Sequence, residues 1–218
     1  KISVLTGDTL FLRSNELAAM EEDIWVGRVV SKVAKDTCSG EIAQGLRENT
    51  GTPLSFADYE RQILGKTGRL FGLSCALGGY VAKMSATDRE RLQRYGELFG
   101  ISYQLYDDVV DVWGDESEYK KTLHTDQAQR KWTLPWILLH QAAPQTNFEP
   151  LWTDRAATLK AFEAHGIYAK CQATFEGYRT RAAALLKGLP QAELLSMPLD
   201  FVSQAWAKLQ PMKKAVNQ

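Results

Sequence analysis

Residues 103–115 read YQLYDDVVDVWGD and place three aspartates, Asp107, Asp108 and Asp111, inside an otherwise apolar and aromatic run. On an α-helix, at about 100° per residue, these aspartates and Gln104 share an arc of roughly 100°. Tyrosine, leucine and valine side chains surround that arc. The stretch therefore predicts a helix that presents four polar groups along one narrow stripe.

Electrostatics make this stripe unfavourable unless a positive charge lies against it. Like charges three or four residues apart on a helix repel by about 0.2–0.5 kcal/mol in water, and partial burial strengthens the repulsion. The aspartates also lie near a helix C-terminus, where the helix dipole disfavours anions. A divalent cation would reverse all three effects, and oxygen ligands that leave room for water suit Mg²⁺ bound to phosphates. On spacing alone, a solvated acidic patch at the end of a helix remains the alternative.

Basic residues that could lie near these aspartates and bind a phosphate group occur in two segments of the chain. Lys66 and Thr67 lie in a GKTG sequence inside a predicted helix, but the spacing is not that of a P-loop. The segment GDESEYKKTLHTDQAQRKWTLP follows the aspartates and contains Lys121, Asp126 and Lys131. Lysines bind phosphate as point charges. The combination of aspartates on a helix and lysines beside it suggests a site for Mg²⁺ and a diphosphate. Taken alone, each lysine is more typical of a solvated surface residue.

The rest of the chain predicts an all-α bundle of long antiparallel helices. A first helix is expected after Gly7 and Asp8, a second over about 22–46, and a third from the Ser55 cap to about residue 79. Ser85 or Thr87 is expected to cap the helix that ends near Gly114. A polar loop is predicted over 115–131. Three further helices are predicted, over about 132–142, 167–187 and 191–209.

Composition narrows the class of protein. The 26 basic and 26 acidic residues of this 218-residue chain balance, so no overall field favours nucleic acid or an anionic membrane. No apolar run approaches the roughly 20 residues of a membrane span. Cys38, Cys75 and Cys171 are scattered without metal-ligand spacing, which is typical of reduced thiols in a cytosolic protein.

Five motifs, in a fixed order, resemble those of the trans-isoprenyl diphosphate synthases, the polyprenyl synthetase family. They are VLTGDTLFLRSNELAA (4–19), SGEIAQ (39–44), YERQILGKTGRLFGLSCALGG (59–79), FGISYQLYDDVVDVWGDES (99–117) and KWTLP (131–135). The fourth looks like the second aspartate-rich motif of that family. The match covers most of the chain and is looser after residue 140.

The resemblance implies one all-helical domain over residues 1–218, an isoprenoid-synthase-type bundle around a central cavity. The implied reaction is Mg²⁺-dependent head-to-tail condensation of isopentenyl diphosphate with an allylic diphosphate, in a cytoplasmic homodimer. The resemblance assigns metal binding to Asp107, Asp108, Asp111 and Asp126, diphosphate binding to Lys66, Lys121 and Lys131, and catalytic positions to Lys66, Thr67 and Gln104.

The chain departs from the family pattern in two respects. The first aspartate-rich motif, which should precede residue 4, is absent, and the chain starts at Lys1 without a methionine. We therefore expect it to be part of a longer synthase. The alternatives are one subunit of a heteromeric synthase, a non-catalytic regulatory subunit, and a class I terpene cyclase. Lys120, His124 and Arg130 also replace family glycines that let the loop turn and approach phosphate.

Overall fold

The computed structural model describes residues 2–48 and 52–216 of the chain. Within these residues it contains α-helices, one π-helical turn (Leu64–Gly68) and no β-strand. The α-helices are α1 (Ile2–Ala19), α2 (Ile24–Glu48), α3 (Phe56–Ile63), α4 (Arg69–Val81), α5 (Ala86–Trp113), α6 (Glu116–Tyr119), α7 (Thr125–Ala128), α8 (Leu134–Ala142), α9 (Glu149–Thr153), α10 (Arg155–Ala164), α11 (Ile167–Leu186) and α12 (Ala192–Val216). The predicted all-α class is confirmed.

Helix α5, 28 residues long, lies at the centre of the bundle. It packs against α4 and α11 most extensively, and against α12, α8 and α3 as well. Its side chains from Leu92 to Trp113 are largely buried, which gives the bundle a continuous apolar core. Consecutive long helices are joined by short turns and so run antiparallel. No helix in the described part of the chain has both the length and the apolar character needed to cross a bilayer.

Local sequence explains where α3 and α5 begin and end. The side chains of Ser55 and Ser85 accept hydrogen bonds from the amides of Asp58 and Asp88, as N-caps do. Gly114 follows α5, and a Cβ there would lie 2.6 Å from the carbonyl oxygen of Val110. These three predicted boundaries are confirmed.

The interface between α4 and α5 is close because glycines face each other across it. A Cβ added to Gly96 would lie 2.5 Å from the carbonyl oxygen of Phe71, and one added to Gly100 would lie 2.7 Å from the Cα of Gly68. The backbones therefore approach more closely than any side chain allows. This contact fixes the distance between α5 and the residues just before α4.

Those residues form the π-helical turn, which contains Lys66 and Thr67. The sequence predicts one uninterrupted helix here, whereas the structure widens it by this turn between α3 and α4. π-Helical turns of this kind frequently occur at functional sites. Helix α2 reaches the turn at Gly40, where a Cβ would lie 3.6 Å from the backbone of Gly65 and Lys66.

Several boundaries differ from the sequence-based expectation. Helix α1 includes Gly7 instead of starting after it, and the predicted 115–131 loop contains α6 and α7. Helices α9 and α10 were not predicted, although Pro150 suits the first turn of a helix and Asp154 caps α10 through the amide of Ala157. The sequence predicts a break between the second helix and the Ser55 cap, and residues 49–51 of that segment lie outside the described residues.

We predict that Gly96→Ala lowers the free energy of unfolding by about 1–3 kcal/mol, because its methyl group meets backbone that cannot move aside. Urea unfolding of the purified protein measures the change. Gly78→Ala, in α4, is the matched control: nothing lies within 4 Å of its added Cβ, so it should stabilise by up to about 1 kcal/mol. Equal stabilities for the two variants would contradict the close α4–α5 contact.

Candidate active site

Two of the three aspartates in the opening stretch are buried. Asp108 and Asp111 expose 3% and 7% of their surface, while Asp107 and Gln104 are half-buried. A solvated acidic patch is therefore excluded for Asp108 and Asp111. Buried carboxylates need donors or cations, so the surroundings of each decide what it can do.

A pocket of about 320 Å³ opens beside the C-terminal half of α5. It brings together eight of the nine residues that the sequence predicts for the site: Lys66, Gln104, Asp107, Asp108, Asp111, Lys121, Asp126 and Lys131. The ninth, Thr67, donates a hydrogen bond from its hydroxyl to Oε1 of Gln104 at 3.1 Å. The predicted acidic and basic groups thus line the walls of the same pocket.

Three helices supply the donors that hold Asp108. The Tyr59 hydroxyl of α3 donates to Oδ2 at 2.5 Å, and the Leu134 amide of α8 donates to the same oxygen at 3.1 Å. Gln104 of α5 donates from Nε2 to Oδ1 at 3.1 Å. Gln104 is therefore held at both ends, by Asp108 and by Thr67, and the orientation of its amide is fixed.

Asp111 fastens the following loop to the end of α5. Its Oδ1 accepts from the amide and the hydroxyl of Thr125, and its Oδ2 accepts from the amide of Asp126, each at 3.1 Å. Its carbonyl oxygen accepts from the amide of His124 and lies 2.7 Å from His124 Nδ1. Asp111 thereby places Asp126 at the pocket. The DDxxD spacing of the sequence does not predict this structural role.

Two of the pocket lysines are paired with carboxylates. Lys121 Nζ lies 2.6 Å from Oδ1 of Asp107, and Lys66 Nζ lies 3.4 Å from Oε1 of Glu41 in α2. Both lysine side chains are about 40% exposed. Ion pairs at this exposure contribute about 0–1 kcal/mol, so either lysine can exchange its carboxylate for another anion at little cost.

The acids deeper in the pocket hold an excess of negative charge. Burial raises the pKa of Asp108 to about 6, against the hydrogen bonds from Tyr59, Leu134 and Gln104. Burial and then the charge of Asp108 raise the pKa of Asp126 to about 8, against the charge of Lys131. A cation placed between these carboxylates would stabilise both.

The three loop residues that stand in place of family glycines all have positive φ, the region that glycine adopts most readily. Lys120, His124 and Arg130 have φ values of 50°, 62° and 54°, a region in which side chains other than glycine are strained by about 1–2 kcal/mol. His124 contacts the Asp111 carbonyl, and Arg130 forms an ion pair with Glu149 at 3.1 Å. The loop therefore turns as glycines would allow, although the sequence departs from the pattern.

The acidic side chains of the pocket offer a small number of free oxygen ligands to a divalent cation. In the described part of the chain, no three acidic, histidine or cysteine side chains are placed to enclose a metal together. A carboxylate offers about four lone pairs, and Asp108 and Asp111 each use three on protein donors, leaving one on Asp108 Oδ1 and one on Asp111 Oδ2. Asp107 uses Oδ1 for Lys121. An all-oxygen set of this kind fits Mg²⁺ or Ca²⁺ held partly through water.

Two residues of the site were missed by sequence reasoning. Tyr59 precedes Lys66 by seven residues, about two helical turns, so it could have been placed on the same face of the predicted helix. Glu41 lies in the SGEIAQ motif, and this position in an ordered motif is the signal that could have identified it. The pairing of Glu41 with Lys66 depends on the approach of α2 to the π-helical turn, which no local pattern indicates.

Comparison with known proteins gives a consistent result. Residues 1–164 match the family model for polyprenyl synthetase. The chain is 29% identical over 211 residues to heptaprenyl diphosphate synthase component 2 of Geobacillus stearothermophilus, covering 92% of this chain and 64% of the relative. It is 32% identical over 141 residues to geranylgeranyl diphosphate synthase of Mycobacterium tuberculosis, covering 62% and 40%.

The fold also resembles solved structures. A polyprenyl synthase from Caulobacter crescentus, crystallised with calcium and isoprenyl diphosphate, superposes with a TM-score of 0.80 at 27% identity, covering 92% of this chain and 65% of that one. This chain thus spans less than two thirds of the length of each of these three relatives.

We predict that Lys120→Gly raises the free energy of unfolding by about 1 kcal/mol, because glycine adopts a positive φ without strain. Thermal unfolding measures the gain. Lys120→Ala keeps the Cβ and the strain, so it should leave stability nearly unchanged. If alanine stabilises as much as glycine, the lysine side chain and not its backbone conformation is responsible.

We predict that the metal-free protein, kept in EDTA, loses stability as pH rises from about 4 to about 8. The pKa of Asp126 is higher in the folded state than its ordinary 3.8, so its protonated form favours folding and ionisation removes that contribution. Asp126→Asn removes the part of this loss that comes from Asp126, so its melting temperature should exceed that of the wild type increasingly up to about pH 8. The part that comes from Asp108, whose pKa is raised to about 6, remains.

Asp36→Asn is the control for this experiment. Lys35 and Lys32 lower the pKa of half-buried Asp36, so removing its charge should bring no gain at high pH. A constant difference between Asp126→Asn and the wild type across this range would contradict the raised pKa.

Proposed function

The chain belongs to the polyprenyl synthetase family, and we propose that it binds an allylic diphosphate in the pocket beside α5 as part of a polyprenyl diphosphate synthase. In the proposed reaction the allylic carbon–oxygen bond breaks and isopentenyl diphosphate attacks that carbon. Loss of a proton then gives a longer trans-polyprenyl diphosphate, and diphosphate is released. The observation that carries the proposal is the convergence of three lysines and four aspartates on one pocket.

The lysines would bind the diphosphate of the allylic substrate. Lys66 and Lys121 are held by Glu41 and Asp107 through pairs that cost little to break. Diphosphate oxygens can replace those carboxylates, and Lys131 lines the same pocket. The three ammonium groups would thus orient the leaving group and stabilise the charge that develops on it.

A divalent cation, which we propose is Mg²⁺, would be held by Asp107 and by the remaining lone pairs of Asp108 and Asp111, with Asp126 in the outer shell. When bound, it supplies charge neutralisation to the departing diphosphate. The raised pKa values of Asp108 and Asp126 support a site for positive charge here. The calcium and isoprenyl diphosphate in the Caulobacter crescentus relative support the same pairing of ligands.

Thr67 and Gln104 would line the reacting carbon. Their hydrogen bond, and the bond from Gln104 to Asp108, hold the amide dipole in one orientation before the substrate arrives. A dipole fixed in this way stabilises a developing carbocation without reorganising during the reaction. These contacts support a role for Thr67 and Gln104 in stabilising the reacting carbon, with phosphate bound by the lysines.

A partner chain is a second part of the proposal. The Geobacillus stearothermophilus relative is named as component 2 of its synthase, and its alignment extends over 92% of this chain. Helix α1 exposes large apolar side chains around most of its circumference, and such exposure is typical of an interaction surface: Ile2, Val4, Leu5, Leu10 and Leu12. These observations support a homodimer or a complementary subunit.

We place the reaction in the cytoplasm. Cys38, Cys75 and Cys171 are all free thiols. Unpaired thiols, two of them at least partly shielded, suit a reducing compartment. Detection of the protein in the soluble fraction of the native cell, with reduced thiols, tests the assignment.

The protein should elongate an allylic diphosphate when it is given labelled isopentenyl diphosphate and MgCl₂. Chromatography of the products measures this. Elongation supports the synthase, activity only after addition of a second subunit supports the heteromeric form, and a cyclic hydrocarbon from one substrate indicates a cyclase. No product under any of these conditions would favour the non-catalytic bundle.

We predict that Asp107→Ala lowers turnover on the order of 100-fold or more, because a carboxylate at the pocket mouth is lost. Asp107 is preferred to Asp108 as a probe, since Asp108→Ala would leave the donors of Tyr59 and Leu134 buried without a partner. Asp36→Ala is the matched control, because Asp36 is also paired with a lysine, Lys32, at 3.2 Å. Equal activity of the two variants would remove Asp107 from the site.

A further inference from the structure

The hydroxyl of Tyr59 lies in the wall of the pocket and contacts a predicted metal ligand. Tyr59 is 1% exposed, and its hydroxyl donates to Oδ2 of Asp108 at 2.5 Å. Because a carboxylate oxygen can only accept, the Tyr59 hydroxyl is the donor of this contact.

This donor limits what Asp108 can offer to a ligand. Oδ2 accepts from both Tyr59 and the Leu134 amide, so its two lone-pair sites are occupied. Oδ1 accepts from Gln104 and keeps one site. Asp108 thus presents a single oxygen to the pocket, in one orientation. Without the Tyr59 hydroxyl, Oδ2 gains an open site and the carboxylate can rotate away from Gln104.

The same contact reaches further than Asp108. The Gln104 amide is oriented by Asp108 on one side and bonded to Thr67 on the other. Tyr59 and Lys66 belong to one helical rod, formed by α3 and the π-helical turn. The helical rod that places Lys66 at the pocket therefore also holds Asp108 in place through Tyr59.

We propose that Tyr59 is a positioning residue for cation and diphosphate binding, which acts by fixing Asp108 and, through it, Gln104. This inference rests on the proposed function, because it concerns the same pocket. Tyr59 touches neither ligand in this role. Its effect is expected in the concentration of cation needed for binding, in addition to any effect on stability.

The test compares Tyr59→Phe with Tyr95→Phe. Tyr95 is 2% exposed, and its hydroxyl donates to the carbonyl oxygen of Leu195, outside the pocket. Both variants lose one buried hydroxyl and keep the ring. The melting temperature is followed as MgCl₂ is titrated at a fixed concentration of inorganic pyrophosphate, since a ligand that binds the folded state raises it.

The wild type and Tyr95→Phe should reach half of the full rise at the same MgCl₂ concentration, whereas Tyr59→Phe should need roughly ten-fold more. Equal midpoints for the two variants overturn the inference and leave the proposed function standing. No rise in the wild type contradicts the proposed function itself, and the inference with it.

A second pair of variants tests whether Tyr59 acts through Asp108 or by another route. Asp108→Asn removes the buried charge, and Tyr59→Phe is then added to it. If Tyr59 acts through Asp108, the second change should leave the MgCl₂ midpoint of Asp108→Asn unaltered. A further ten-fold increase in the double variant would show that Tyr59 acts by another route, and would overturn the inference.

Discussion

The buried carboxylate of Asp108 is the constraint on which the site depends. A charge with 3% exposure persists only if donors surround it, and α3, α5 and α8 each supply one. Asp111 makes a comparable demand one turn later, and the loop that carries Asp126 meets it. Satisfying two buried acids thus brings four separate segments to one place, which is why a bundle of ordinary helices has a polar pocket at this point.

Close backbone contacts around the pocket also bring its segments together. Gly68 and Gly100 allow the π-helical turn to lie against α5, and α2 contacts the turn at Gly40, where a Cβ would also fit. The widened turn carries Lys66 toward the pocket, where Glu41 pairs with it. Close packing at these glycines therefore sets the distance between Lys66 in the turn and the aspartates of α5.

Much of this arrangement could be predicted from the sequence. Helical periodicity and the caps at Ser55 and Ser85 located the long helices, and the ordered motifs named the residues that the pocket gathers. Three features lay beyond local pattern. The π-helical turn, the role of Asp111 in holding the loop, and the positive φ of residues such as His124 all result from contacts between distant segments. The replacement of the family glycines predicted a changed loop. In the structure, His124 and Arg130 make contacts with distant residues and have positive φ, as glycines could.

The ion pair between Lys121 and Asp107 has a consequence for how the two proposed ligands would depend on each other. The ammonium group of Lys121 has three N–H donors, and the one directed at Oδ1 of Asp107 can turn to a phosphate oxygen instead. Arrival of the diphosphate would therefore release Asp107 to a cation, and arrival of the cation would release Lys121 to the diphosphate. By thermodynamic reciprocity, each ligand would raise the affinity for the other by the same factor, so one salt bridge would couple the binding of the two proposed ligands.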